Sequence, residues 1–431
     1  MMNKKLIAVL ILVLLLVPVM ASIQLAQPAA AEVVQSDKER ITSPDVNSSE
    51  EALLVEGNSA FAFELYQTLR EKEGNLFYSP YSISLALAMA YAGASRETAQ
   101  QMTDTLDFLL GQDRLHPAFN WLDAELASRG QDAQGKDGKG FRLNIANAIW
   151  GQKGYEFLPA FLDVLAENYG AGLRLLDFIT ETEKSRVTIN DWVSDQTEGR
   201  IKDLIPQGAI SELTRLVLTN AVYFNAAWEY PFEKDMTING PFYLLGGGQV
   251  TAPMMKQTEL FGYTEGAGYQ AVELPYDGDE LSMVILLPAS GNFEAFEAGL
   301  QAQQVNEIIS DLQTTQVALT MPKFEFDSEF SLKDTLSDMG MQDAFSPDEA
   351  DFSGMTGNRE LFISDVIHKA FVAVDEAGTE AAAATAVIVG TTSAPVGPLA
   401  EVTLDRPFIF LIRDIETGAI LFVGRVLNPA A

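Results

Sequence analysis

Two hydrophobic rhythms divide this chain. In the first half apolar residues recur at helical spacing. In residues 59–70, Phe61, Leu65 and Leu69 fall on one helical face. Residues 82–93 are nearly all small or apolar, the pattern of a helix buried on every side, with Ser79 and Pro80 placed to cap and start it. Residues 159–169 and 183–197 predict further amphipathic helices. After Leu213 the rhythm changes. Residues 215–228, 269–275, 282–288, 315–326, 362–374, 401–413 and 419–426 read as strands, as does 141–150. Length alone allows two or three domains, but no linker or repeat separates the halves. The pattern predicts one α+β domain over residues 52–431.

One segment resists assignment. Residues 379–386 are alanine-rich and favour a helix by propensity. The β-branched Val387, Ile388 and Val389 follow, and then Gly390, Pro395, Gly397 and Pro398 forbid regular continuation. The segment 376–398 therefore joins buried strands while having little structure of its own. Long connections of this kind in compact domains are usually functional.

The N-terminus adds an address. Lys4 and Lys5 precede an unbroken apolar run from Leu6 to Val17, and Ala29, Ala30 and Ala31 follow. This layout predicts a secretory signal peptide, residues 1–31, and a secreted, extracellular protein. The rival is an uncleaved anchor on the outer face of the cell, although Pro18 and Gln24 weaken a span from Leu6 to Ala26. Residues 32–51 are polar, acidic and without periodicity, so they read as a flexible leader. The net charge of −32 excludes nucleic acid and acidic membranes as partners. The lack of basic clusters argues against activation by heparin-like polyanions.

The chain has no cysteine and two histidines, His116 and His368. Thiol catalysis, disulfides and thiolate zinc sites are excluded. No H-E-x-x-H or G-x-S-x-G occurs. His116, in Leu115-His116-Pro117, reads as structural. Residues 130–136 match seven positions of a phosphate-binding loop, but Asp137 stands where Ser or Thr must hold magnesium, and the helix–strand order is reversed. Residues 276–280 are acidic but too short for a calcium loop, and read as a hairpin turn. No metal, cofactor or catalytic residue is expected, and a secreted hydrolase is the weaker alternative.

Five motifs now carry a resemblance. Phe77-Tyr-Ser-Pro-Tyr-Ser-Ile83, Leu218-Thr-Asn-Ala-Val-Tyr-Phe-Asn-Ala-Ala-Trp228, His368-Lys-Ala, Asp405-Arg-Pro-Phe408 and Gly424-Arg-Val-Leu-Asn-Pro429 occur in the order found in serpins. The chain resembles an inhibitory, secreted serpin of prokaryotic type from about Ala52 to Pro429. The resemblance implies three β-sheets ringed by helices and an exposed reactive-centre loop. It implies a loop hinge at Glu376, Gly378, Thr379, Glu380, Ala381, Ala382, Ala383, Ala384 and Thr385. Counting from Gly378 as inhibitory members do places the reactive bond at Thr392–Ser393, with Thr391 and Ala394 as register alternatives. Ser79, Ser82, Asn220 and His368 would form a polar shutter under the sheet, and Trp228 would pack at the breach where the loop enters.

The implied mechanism suits these residues. A protease cuts the loop and forms an acyl-enzyme, and the loop then inserts into the large sheet, a strand-addition switch. Thr379, Ala381, Ala383, Thr385, Val387 and Val389 make one uncharged face; the other carries charge only at Glu380. No proline precedes Pro395, so each amide up to Thr392 can join the ladder. Gly378 reads as a pivot. The strand would carry the protease about 50 Å at ~3.3 Å per residue. Small, uncharged Thr391, Thr392 and Ser393 fit a shallow elastase-like or subtilisin-like pocket. The expected protein is a monomer whose partners are serine proteases. The alternative is a non-inhibitory carrier or chaperone, against which the small, proline-free hinge argues.

Overall fold

The structure, a computed structural model, describes residues 31–131, 133, 141–379 and 399–431. Asn47 decides where the first helix begins. Its Oδ1 accepts from the amides of Ser49 and Glu50 (3.1 and 3.3 Å), and the Glu50 carboxylate accepts from the Asn47 amide (3.0 Å). This capping box satisfies orphan donors, so α1 spans Ser48–Leu69, starting well before the predicted residue 59. Every residue of α2 (Pro80–Tyr91) is buried, as its composition predicts. The helices α3 (Arg96–Thr105), α4 (Gln112–Ser128), α5 (Pro159–Tyr169) and α6 (Thr182–Gln196) complete the first half.

In chain order the strands are β1 (Glu32–Val34), β2 (Leu76–Tyr78), β3 (Arg142–Gln152), β4 (Leu173–Leu176), β5 (Leu216–Ala227), β6 (Ile238–Tyr243), β7 (Gln249–Gly266), β8 (Tyr269–Pro275), β9 (Leu281–Pro288), β10 (Gln313–Pro322), β11 (Phe324–Ser331), β12 (Ile363–Asp375), β13 (Gly378–Thr379), β14 (Ala400–Thr403), β15 (Phe408–Asp414) and β16 (Ile420–Val426). Two predicted strands each divide: 315–326 breaks at Lys323 and 401–413 breaks before Phe408. Residues 276–280 form the expected turn between β8 and β9.

One sheet has the order β1-β4-β3-β5-β13-β12-β11, the other β14-β10-β7-β8-β9-β15-β16-β2, with β6 beside β7. The resemblance implies three sheets. The hydrogen-bond ladder joins two of them because β7 is 18 residues long and pairs with β6 and β10 before reaching β8. The main core packs one face of the first sheet against α1, α2 and the second sheet. A second cluster, including Trp150, Ile189, Val193, Val217 and Ile367, fills the space under α6 on its other face. Because both faces are covered, all of β5 is buried.

The segment read as a flexible leader is tied down. Strand β1 pairs antiparallel with β4 at the edge of the first sheet. Lys38 bridges to Asp163 and Glu167 on α5 (3.3 and 2.8 Å), and Arg40 reaches Asn120 and Asp123 on α4 (2.7 and 2.6 Å). Edge hydrogen bonds and polar partners hold this stretch, so it carries no apolar rhythm. No helix of the described residues is long and apolar enough to cross a membrane. The predicted signal segment up to residue 30 and most of 130–137 lie outside them.

Candidate functional site

The first sheet contains a seam. Strands β5 and β12 pair directly and in parallel, Leu216–Tyr223 beside Ile363–Phe371. Beyond that stretch they part and β13 lies between them. Gly378 and Thr379 pair antiparallel with Ala227 and Ala226 on one side and with Asp375 and Val374 on the other. One seam is thus closed along most of its length and occupied by a third strand at its end.

The occupied end is built for close approach. A Cβ on Gly378 would lie 2.1 Å from the Ala226 carbonyl oxygen and 2.7 Å from Ala227 Cα. Glycine is needed here for this contact, and its φ of 155° is a backbone value that residues with side chains rarely adopt. Thr379 is fully buried, and its Oγ1 hydrogen-bonds the Tyr276 hydroxyl at 2.8 Å. Tyr276 stacks on Trp228, with centroids 4.7 Å apart and planes 9° from parallel. Burial raises the Tyr276 phenol well above its ordinary value, and the Thr379 bond only partly opposes this, so it stays protonated. The Trp228 indole donates to the Asp375 carbonyl and the Trp228 amide to the Ala377 carbonyl, both at 3.0 Å.

Glu376 locks the turn before β13. Its buried carboxylate takes bonds from Lys323 Nζ (2.8 Å) and Thr237 Oγ1 (2.9 Å), while its carbonyl accepts from the Phe232 amide (2.8 Å). Burial pushes this carboxyl up, but Lys323, the backbone and Thr237 together outweigh burial and hold it below its ordinary value.

The closed end is held by side chains. Asn220 and His368 are register partners across the seam, and His368 Nδ1 hydrogen-bonds Asn220 Oδ1. The Ser79 amide donates to His368 Nε2 (3.3 Å), so Nε2 accepts and Nδ1 carries the proton of a neutral imidazole. Burial alone drives the His368 pKa down to about 3. Asn220 Nδ2 donates to Ser82 Oγ (2.7 Å) and Asn147 Oδ1 (2.6 Å), and Asn147 Nδ2 donates to the Ser82 carbonyl (3.0 Å). The Ser79 hydroxyl accepts from the Ser82 amide at 3.1 Å.

The structure thus gathers Ser79, Ser82, Asn220 and His368 into one network and places Trp228 against the turn that leads into β13. Sequence reasoning missed Asn147, Tyr276, Lys323 and Thr237. The register of Asn147 opposite Asn220 supplies the missing signal for the first. His116 lies inside α4, buried, bonded to the Tyr169 hydroxyl at 2.6 Å, with burial lowering its pKa to about 4. Among the described residues no group of three or more acidic or histidine side chains is placed to hold a metal. The hinge residues Glu380, Ala381, Ala382, Ala383, Ala384 and Thr385 lie outside the described residues, as do Thr391, Thr392, Ser393 and Ala394.

A family model for serpins, serine protease inhibitors, matches residues 56–429. An uncharacterized serpin-like protein of Thermococcus kodakarensis is 41% identical over 386 residues, covering 89% of this chain and 88% of its own. The human leukocyte elastase inhibitor is 40% identical over 387 residues, covering 87% of this chain and 99% of its own. The native state of a thermophilic serpin, tengpin, superposes with a TM-score of 0.80 at 29% identity, covering 93% of this chain and all of that one. The chain belongs to the serpin family.

Proposed function

We propose that this protein inhibits serine endopeptidases by a suicide mechanism. The protease attacks the Thr392–Ser393 bond and becomes esterified at Thr392. The freed segment then enters the seam as a full strand, and the dragged protease loses the geometry that deacylation needs. The observation that carries this reading is the seam, closed below and already entered by Gly378 and Thr379 above.

Continuing the register of those two residues sets the inserted strand. Thr385 arrives between Asn220 and His368, and Val389 arrives opposite Leu216, the first residue of β5. Thr379 faces the core at Tyr276, so alternation turns Ala381, Ala383, Thr385, Val387 and Val389 the same way. The opposite set, which must pass beneath α6, carries Glu380 at its mouth and is then alanine at 382, 384 and 386 up to Ile388. Insertion replaces one parallel ladder with two antiparallel ones. At ~0.5–1.5 kcal/mol net per hydrogen bond, about a dozen residues give on the order of 10 kcal/mol. The native chain is then kinetically held, and the Asn220–His368 bond is part of its barrier.

Likeness to a leukocyte elastase inhibitor and the small residues at 391–393 support elastase-like or subtilisin-like targets. We place the active protein outside the cell, as a monomer released by cleavage after Ala31. That cut spares β1, which begins at Glu32.

Incubation with an elastase and a subtilisin, followed by a denaturing gel, tests the reading. The expected result is a band at the summed mass and a released fragment beginning at Ser393. Cleavage with neither complex nor gain in thermal stability would sink the inhibitory mechanism for those proteases and favour the non-inhibitory carrier or chaperone reading. Turnover of ester or peptide substrates by the purified protein would revive a hydrolase.

A further inference from the structure

Three buried oxygens from three segments meet one small cavity whose lining shares no residue with the seam network. Asn58 on α1 is 4% exposed and Ser84 on α2 is 1% exposed. Asn58 Oδ1, Ser84 Oγ and Asp107 Oδ2, the last in the turn after α3, are buried and have no protein partner. All three residues line the same cavity, whose remaining wall is leucine and phenylalanine, Leu54, Leu106, Phe108 and Phe119 among them.

The local backbone is shaped to bring them together. A Cβ on Gly57 would lie 2.1 Å from the Asp107 carbonyl oxygen, so only glycine lets this turn rest on α1. Asp107 itself adopts the left-handed region, φ 51°, which aspartate tolerates better than most residues. The Asn58 amide nitrogen donates to the Ile420 carbonyl at 3.4 Å, which leaves its oxygen to face the cavity. The space for the centre of a water molecule is about 10 Å³, close to the ~10–15 Å³ that one water requires.

We infer that this cavity is a binding site for one buried water that joins α1, α2 and the Asp107 turn. The donor count fits a water. It donates one hydrogen to Asn58 Oδ1 and the other to Asp107 Oδ2, and accepts from the Ser84 hydroxyl, so all three groups are satisfied. A hard cation is a poorer match, because three oxygens fall short of the six or more it takes. An apolar guest would leave three polar groups unpaired.

A crystal structure of the full chain at a resolution that shows ordered waters tests this directly, from crystals grown in sodium and in rubidium salts. The expected density is one peak within about 2.7–3.2 Å of all three oxygens, with no anomalous signal in rubidium. A rubidium peak overturns the inference in favour of a cation, and a direct Ser84–Asp107 bond with no peak overturns it outright. In solution, oxygen-17 relaxation dispersion on the chain and on Ser84→Ala gives a second reading. Loss of one long-lived water in the variant is expected, and unchanged dispersion contradicts the assignment.

Discussion

The two ends of the seam use the same pair of strands and reach opposite states. At one end β5 and β12 touch, and Asn220 is bonded to His368 across the join. At the other they stand one strand apart with Thr379 between them. The difference lies in what each end offers a third strand. The entered end has glycine where the backbones crowd, a hydroxyl awaiting Thr379 Oγ1, and an ion pair fixing the turn. The closed end has its polar groups already satisfied by one another. Entry stops where the arriving strand would have to compete with a complete hydrogen-bond network.

The strongest way to break this contrast is Asn220→Ala. It leaves His368, Ser82 and Asn147 each short of a partner. At about 1–3 kcal/mol per buried orphan, the native state should lose about 3 kcal/mol or more. Urea unfolding reads this loss, and native gels should show faster spontaneous conversion to the inserted form or to polymers. Unchanged conversion would mean the barrier lies elsewhere.

Next in size is Gly378→Val. The new side chain cannot sit against Ala226, so the hinge is pushed out and the two ends become alike. Insertion then starts late, and more inhibitor is cut per protease trapped. Active-site titration should show the stoichiometry rising several-fold; an unchanged value would deny the inserted hinge a role.

Acid should act on the ends in sequence. The His368 pKa is depressed in the fold to about 3, so the unfolded chain binds more protons between pH ~6.5 and 3. The stability from neutral His368 is complete above pH ~6.5 and is lost as pH falls toward 3, by at most ~1.4 kcal/mol per pH unit for one group. His116 acts in the same direction from the same start, down to about 4. Glu376, held below its ordinary value, adds stability that is present above about pH 4.5 and lost below that. Urea midpoints measured against pH for the wild type and His368→Gln should differ in slope between pH 6.5 and 4.5. Parallel curves would remove His368 from the account.

The smallest effect is expected from Lys323→Ala. Lys323 is 35% exposed while Glu376 is 6% exposed, so solvent screens part of the pair. About 1 kcal/mol of loss is expected at low salt, less at high salt. A loss several times larger would make the entered end the main lock.

Much of the fold was legible because packing writes a rhythm. Residues 159–169 and 269–275 match their element bounds, and the all-buried α2 was visible in its composition. What stayed hidden is held by polar contacts at long range. Residues 32–47 have no apolar period, since edge pairing, Lys38 and Arg40 fix them. Asn147 sits in an alternating strand that does not declare which face meets Asn220. Tyr276 reads as part of an acidic turn, and its stacking on Trp228 appears only in three dimensions. The four positions of the Asn220–His368 network were readable through family motifs alone; single-sequence chemistry leaves a buried neutral histidine indistinguishable from any other core histidine.

The register of β13 has a last consequence. On the proposed insertion, it would make the segment from Gly378 to Val389 a ruler cut to the length of the seam, with its graduations on alternate faces. Removing one residue inside it would turn every later side chain to the wrong side, whereas residues 391–394 lie beyond the last mark. Under that mechanism, target choice and trapping would be separable along the chain: the bait could be rewritten while the ruler is left alone.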